Sequence, residues 1–163
     1  MSAGVADAPE KCLRIECDRG KSWIEIVARR DSRDAAYEIG CGIDLGHGNF
    51  FARNSDLHFL NMPAFVGELD RFMSDRSLTP QLSGTFGSFL ILWQPGTRDQ
   101  VMLSFAIGDA YGGGPVNTEF SLTGSFLLPE AGLATILSGF HGMLNSAPEV
   151  IAISSPTSPS PMP

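Results

Sequence analysis

Most of the chain alternates apolar and polar residues, as a β-strand does when one face of its sheet is buried. The clearest stretch places five apolar side chains on one parity: Tyr37, Ile39, Cys41, Ile43 and Leu45. Because neighbouring side chains of a strand point to opposite faces, this alternation predicts one buried and one solvated face. Similar stretches recur along the chain, at residues 12–17, 24–29, 101–107 and 120–128.

Other segments predict shorter strands and a loop. Residues 50–53 follow a glycine-rich turn, and Leu82, Gly84 and Phe86 lie on one parity. Residues 89–93 are apolar on both parities, which predicts a strand that is either covered on both faces or has one exposed apolar face. The glycine-rich residues 109–115 are predicted to form a flexible loop.

Two segments repeat at helical spacing instead. The first follows Asn61 or Met62 as its cap, has Pro63 in its first turn and should end at Thr79-Pro80, with the apolar stripe Phe65, Val66, Leu69, Phe72 and Met73. The second should begin at Pro129-Glu130, with the stripe Leu133, Ile136, Leu137, Phe140 and Leu144. Each glycine inside it costs about 1 kcal/mol against alanine, which indicates close packing onto the sheet at Gly132, Gly139 and Gly142.

The order of these elements is strands then helix, twice. It predicts an α+β fold in which a mostly antiparallel sheet of about six to eight strands carries two amphipathic helices on one face, in the order β-meander–α–β-meander–α. Residues 1–10 are expected to be a flexible leader, residues 11–150 a single domain, and residues 151–163 a Ser/Pro-rich disordered tail.

Charge is unevenly distributed along this acidic chain. The formal net charge is −7, which argues against nucleic acid and anionic membranes as partners and permits a basic protein partner. Ten of the eleven basic residues lie at or before Arg76, so the second half depends on Ser, Thr, Gly and Asn for its solvated face. Such a face is easy to desolvate and suits an interface, since interface cores are depleted in charge. The alternative is that this half is more deeply buried.

The cysteines and the apolar runs bear on where the protein acts. Three cysteines without a CxxC spacing indicate reduced thiols, with Cys17 and Cys41 in the core and Cys12 on the other parity from Cys17. The first eleven residues contain no apolar segment of a signal peptide, and no run approaches 18 apolar residues. A cytoplasmic protein is therefore expected.

No motif for catalysis, metal or phosphate binding stands out. Ser138 and His141 are three residues apart on one helix, but no carboxylate partner or oxyanion hole is indicated. His47 and His58 lack the spacing of metal ligands, and the glycines at 112–114 precede a strand, where a phosphate-binding loop would precede a helix. The sequence therefore predicts a protein that is not an enzyme and carries no cofactor or metal.

Three residues of the charge-poor half are candidates for partner binding. Asp109 and Tyr111 lie on the predicted loop, and Tyr contributes contact area at low entropic cost. Trp93 adds a large anchor if its side of the strand faces outward. The alternative is ordinary turn polarity for the loop residues and core packing for the tryptophan.

Three segments resemble the WapI-like immunity proteins of bacterial polymorphic toxin systems and their uncharacterised relatives. The matching segments are the Phe-x-x-x-Leu-x-x-Phe helix at 65–72, the Leu-x-Gly-x-hydrophobic strand at 82–86 and the closing helix at 133–144. The resemblance covers about residues 11–146, and it departs where relatives often carry Asp and this chain has Pro129-Glu130. It implies no cofactor and no catalysis, and it implies that a cognate toxin is blocked by direct binding.

These observations lead to one expected function and two alternatives. The expected function is a non-enzymatic, protein-binding module that neutralises a toxin, as the missing chemistry, the acidic balance and the charge-poor half suggest. The first alternative is a small-ligand-binding protein or enzyme with a pocket near the 109–115 loop. The second is a homo-oligomeric subunit, such as a homodimer, that covers the apolar strand at 89–93 by self-association.

Overall fold

The structure is a computed structural model that describes residues 11–17, 21–29, 36–96, 99–112, 117–129 and 131–145. Within these ranges the chain forms eight strands and two helices. In chain order the elements are β1 Cys12–Glu16, β2 Trp23–Arg29, β3 Ala36–Asp44, β4 Asn49–Leu57, α1 Met62–Phe72, β5 Gln81–Ser83, β6 Phe89–Trp93, β7 Met102–Gly112, β8 Asn117–Leu127 and α2 Gly132–Leu144. The predicted leader 1–10 and tail 151–163 lie outside the described residues.

The strands form two antiparallel sheets, so the prediction of one continuous sheet was wrong. The first sheet has the order β1-β2-β3-β4 and the second has the order β5-β6-β7-β8, so each is a simple meander. An isolated bridge between Phe59 and Gly84 joins the segments that flank α1. The α+β class and the order meander–helix–meander–helix are confirmed. Alternation along a strand shows which face is buried but not which strand is its neighbour, and so it cannot count sheets.

Both sheets and both helices contribute to a single hydrophobic cluster. Ile24, Ile39 and Phe105 are each at most 1% exposed within it. The helices meet through Phe65 and Phe140, whose rings pack edge to face with centroids 4.9 Å apart. The strong alternation of the sequence therefore reflects a shared core rather than two separate ones.

The helices differ from the predicted ones at their ends. Helix α1 has a proline in its first turn as expected, but it stops at Phe72, well before Thr79-Pro80. Asn61 precedes it without a side-chain capping bond, because that amide bonds to β5 instead, donating to the Gln81 carbonyl and accepting from the Ser83 N–H, both at 2.8 Å. Helix α2 begins at Gly132, three residues after Pro129.

Glycine in α2 allows close packing at one position and not at another. A Cβ atom added to Gly139 would lie 2.5 Å from Leu13 Cδ1 on β1, whereas one added to Gly142 would meet nothing within 4 Å. At Gly132 the nearest atoms belong to the Pro129 ring, at 3.1 Å. The prediction that these glycines pack on a sheet is confirmed for Gly139 and wrong for the other two.

Several local predictions also changed. Strand β4 continues to Leu57, beyond the predicted 50–53. The strand predicted through Phe86 ends at Ser83, and residues 85–87 form a 3₁₀ turn in which Phe86 has a φ of 55°. Residues 109–112 belong to β7 and not to a loop, while 113–116 lie outside the described residues. Of the cysteines, Cys41 is buried and Cys17 is partly buried against the core, as expected.

Candidate functional site

The outer face of the second sheet is partly apolar and open. In β6 the side chains of Leu90 and Leu92 are 1% exposed, whereas their neighbours on the other parity remain half-buried. The Trp93 face is defined here as the part of this surface where the strands of the whole sheet pair, and the β7–β8 ribbon continues beyond it with Ser121 and Glu119 on the same parity. The strand register assigns the following residues to it: Gln81, Ser83, Phe89, Ile91, Trp93, Met102, Ser104, Ala106, Thr123, Ser125 and Leu127. Of the two arrangements predicted for residues 89–93, the structure has the one with an apolar face open to solvent.

No residue of the Trp93 face carries an ionisable side chain. Its polar groups are hydroxyls and one amide, and the central hydroxyls bond to each other. The Trp93 indole Nε1 donates to Ser104 Oγ at 3.0 Å, and Ser104 Oγ lies 2.9 Å from Ser125 Oγ. These bonds fix the indole across three neighbouring strands. A fixed aromatic side chain on an uncharged sheet loses little entropy and little hydration when a partner covers it.

The two other predicted partner-binding residues do not join Trp93. Trp93 pairs with Met102 at the start of β7, whereas Asp109 pairs with Phe120 and Tyr111 with Thr118 further along that strand. At about 3.3 Å per residue, Asp109 lies roughly 23 Å from Met102 along β7. The structure therefore does not bring Asp109 and Tyr111 together with Trp93, and partner binding by any of the three stays a prediction.

The outer face of the first sheet carries a second candidate site, which the sequence analysis missed. An open groove of about 440 Å³ is lined by Trp23, Val27, Glu38, Phe51 and Arg53. Gly40 also lines the groove. The Trp23 indole lies over Gly40 and Gly42, because a Cβ atom added at Gly42 would be only 2.7 Å from Trp23 Nε1 and one added at Gly40 would be 3.7 Å from Trp23 Cζ3. The available signal was two glycines at alternating positions of one strand, which leave room for aromatic rings from neighbouring strands.

Charges on this first sheet are paired with one another. Arg14 lies 4.3 Å from the centre of the Trp23 ring and bonds to Glu16 at 2.9 Å and Glu25 at 3.5 Å. The hydrogen bond to Glu16 raises the pKa of Arg14, and burial followed by the charge of Glu25 raises the pKa of Cys12. Across the groove Arg53 forms an ion pair with Glu38. This face thus carries two arginines paired with three glutamates, in contrast to the uncharged Trp93 face.

Exposed apolar side chains lie at the β3–β4 hairpin beside the groove. Phe51 is 72% exposed, Leu45 54% and Phe50 49%. Leu45 lies just after β3, and Phe50 and Phe51 lie at the start of β4. Their side chains point to both sides of the sheet, since Phe50 and Phe51 have opposite parity. They therefore widen the apolar surface at the end of the groove without forming a single flat patch.

The residues considered for catalysis and metal binding do not assemble a reactive site in the described part of the chain. His141 pairs with Asp70 of α1, with Nε2 3.0 Å from Oδ1, and both side chains are nearly half exposed. No hydrogen bond joins Ser138 to His141 there. His47 is exposed in the β3–β4 turn and His58 is partly buried. The described residues contain no group of three His, Cys, Asp or Glu side chains placed to hold a metal ion.

Comparison of the chain with protein-family models, curated proteins and solved structures finds no match. The resemblance to immunity proteins therefore stays a prediction. Within the described residues, neither helix has the length and apolar content needed to cross a membrane.

Proposed function

We propose that the chain is a non-enzymatic protein-binding module that docks a partner protein through the Trp93 face. The observation that carries the proposal is the row Phe89, Ile91 and Trp93, which remains open on a surface without charge. Aromatic anchors surrounded by uncharged contacts are typical of the energetically dominant centre of an interface. Surface tryptophan held by a hydrogen bond is also already ordered before binding.

The rest of the molecule suggests what the partner is. A net charge of −7, carried away from the Trp93 face, attracts a basic protein at long range and leaves the contact itself uncharged. The predicted resemblance to toxin-neutralising immunity proteins suggests that this partner is a bacterial protein toxin. Three cysteines without a disulfide, all within the described residues, fit action in the cytoplasm.

A pair of matched variants tests the proposal. Ile91→Lys places a charge at the centre of the Trp93 face, and Val27→Lys places the same charge on the outer face of the first sheet. Both original side chains are half-buried on the outward parity of an inner strand. When the tagged protein is purified from its host at native expression, the partner should remain with the wild type and with Val27→Lys and be lost with Ile91→Lys.

Other outcomes would reject the proposal. Loss of the partner with Val27→Lys alone would place the interface on the first sheet, and no protein partner with any variant would exclude the binding module. If a second copy of the chain covers the Trp93 face instead, the purified wild type should have a dimeric mass at micromolar concentration. Ile91→Lys should then have a monomeric mass. Unfolding midpoints of both variants establish that each remains folded.

A further inference from the structure

Arg76 lies at the edge of the Trp93 face with part of its guanidinium unused. Arg76 comes four residues after the end of α1. Its guanidinium carbon Cζ lies 4.9 Å from the centre of the Phe72 ring, and its side chain is only 27% exposed. Nη1 is buried and has no hydrogen-bond partner among the described residues. A buried donor without an acceptor is unfavourable, and the more so when it carries charge. The guanidinium is therefore positioned by its contact with the Phe72 ring, while its Nη1 group makes no hydrogen bond to the described residues.

The acidic groups nearby do not satisfy this guanidinium. Asp99 Oδ1 is 3.9 Å from Nε, beyond hydrogen-bond range, and the Asp99 side chain is 91% exposed. Asp75, the preceding residue, accepts hydrogen bonds from the N–H and hydroxyl of Ser77, at 3.1 and 2.6 Å. One neighbouring carboxylate is thus loosely placed and the other is engaged elsewhere.

Two cavities adjoin Arg76, and each reaches the Trp93 face. One of about 420 Å³ is lined by Arg76, Thr79, Trp93 and Gln94. The other, of about 310 Å³, is lined by Arg76, Gln100 and Leu127 and also by Asp99, which an incoming carboxylate would have to displace. Arg76 lines both, so a group that enters from the Trp93 face meets its guanidinium. The Arg76 side chain is itself only 27% exposed, and partial exclusion of water strengthens a charge-assisted hydrogen bond.

We propose that Arg76 is the anchor for a side-chain carboxylate of the protein that docks on the Trp93 face. The inference rests on the proposed function and adds the chemistry of the partner: an Asp or Glu within an otherwise uncharged contact. A carboxylate matches the planar fork of arginine with two parallel hydrogen bonds. Turning the guanidinium toward a cavity breaks no hydrogen bond of Nη1, although it changes the contact with the Phe72 ring and the loose pair with Asp99. Trp93 and Arg76 also line one cavity, and tryptophan and arginine are both enriched in interface hot spots.

The first experiment needs no partner and uses acetate as the probe. In ¹⁵N-labelled protein, the Arg76 Nε–H and Trp93 indole N–H resonances are followed during titration with sodium acetate, and with sodium chloride at equal ionic strength. Acetate should shift both resonances saturably and chloride should not. Arg76→Gln should abolish the shift at Trp93, Arg76→Lys should weaken it several-fold, and Arg53→Gln, on the first sheet, should leave it unchanged.

Clear outcomes would overturn the inference. Equal shifts with acetate and chloride would mean general screening, and stronger binding of inorganic phosphate than of acetate would assign a phosphate site. Because Arg76 packs on Phe72, the unfolding midpoint of each Arg76 variant is measured, and Arg76→Lys keeps the charge and the stem if Arg76→Gln unfolds.

The second experiment separates this inference from the proposed function. In the purified complex, Arg76→Gln should weaken partner binding by at least about thirty-fold, as expected for a hot-spot residue. A complex that Ile91→Lys abolishes and Arg76→Gln leaves intact would overturn the anchor and retain the proposed function. Acetate binding in a protein that forms no complex would reject the partner as the source of the carboxylate.

Discussion

Replacement of Gly139 by alanine tests how closely α2 packs on the first sheet. In a helix interior this change normally stabilises by about 1 kcal/mol, because glycine has more conformational freedom to lose. Here the added Cβ would lie 2.5 Å from Leu13 Cδ1, 3.0 Å from Cδ2 and 3.1 Å from Cγ. Rotation about χ2 of Leu13 cannot relieve all three contacts, since it leaves Cγ in place, and a change of χ1 would have to move the whole side chain within the core. Leu13 is 4% exposed, so it has little room to move.

The expected result follows from the balance of these two terms. Overpacking of a well-packed core costs about 1–3 kcal/mol, which exceeds the helix term at most of that range. Gly139→Ala should therefore be destabilising by up to about 2 kcal/mol net. Gly67→Ala in α1 is the matched control, because nothing lies within 4 Å of its added Cβ, and it should stabilise by about 1 kcal/mol.

Urea unfolding followed by circular dichroism measures both variants at one temperature. The urea concentrations at the unfolding midpoint should move in opposite directions, while the slope of the free energy of unfolding against urea concentration stays constant. Shortening the facing side chain with Leu13→Val should cost less in the Gly139→Ala background than in the wild type, because the two residues compete for the same space. Equal stabilisation by both glycine replacements would show that α2 does not approach β1 as closely as the structure has it.

Three further predictions concern other parts of the fold. Asn54→Ala should destabilise by about 1–3 kcal/mol in urea unfolding, because the buried Asn54 amide donates to the Gly108 carbonyl at 2.8 Å and so joins the two sheets; an unchanged midpoint would contradict this. Gly42→Ala should displace the Trp23 indole and shift its N–H resonance, whereas the looser Gly40 should accept alanine without that shift. Burial raises the pKa of Cys41, so the folded state holds this proton more tightly than the unfolded state. Its stabilising contribution is complete below the ordinary thiol pKa of about 8.5 and is lost as the pH rises through the folded pKa. Cys41→Ala should flatten the fall in stability above about pH 8.5, and an unchanged pH profile would refute the assignment.

Local patterns along the chain predicted the elements well and their assembly poorly. The alternation from Tyr37 to Cys41 and the stripe at Phe65 to Phe72 both mark buried faces, because period 2 and period 3.6 report directly on burial. The predicted buried face does not extend to Leu45, which is exposed beyond the end of β3. The number of sheets depends on which strands pair, and pairing partners are not encoded in the parity of one strand. Helix α1 ended early at Phe72 because residues after it turn back toward β5, a tertiary effect that apolar spacing does not show.

The candidate sites also differ in how far local sequence patterns could predict them. The apolar parity of residues 89–93 left two arrangements open, and Trp93 was a candidate anchor only if its side of the strand faced outward. In the structure it lies half-buried on the outer face, and its role in binding stays a prediction. The groove on the first sheet was missed, since it depends on Trp23 lying over Gly40 and Gly42 from the neighbouring strand. The role proposed for Arg76 could not be predicted from the sequence either. An unsatisfied hydrogen-bond donor can be identified only when the positions of the surrounding acceptors are known.

Partner affinity of the two matched lysine variants tests the central claim most directly. Once the partner protein has been purified, isothermal titration calorimetry compares its binding to the wild type, Ile91→Lys and Val27→Lys. A buried charge at the centre of the Trp93 face should weaken binding by at least about a hundred-fold, while Val27→Lys should bind like the wild type. Equal affinity of Ile91→Lys and the wild type would contradict docking on this face.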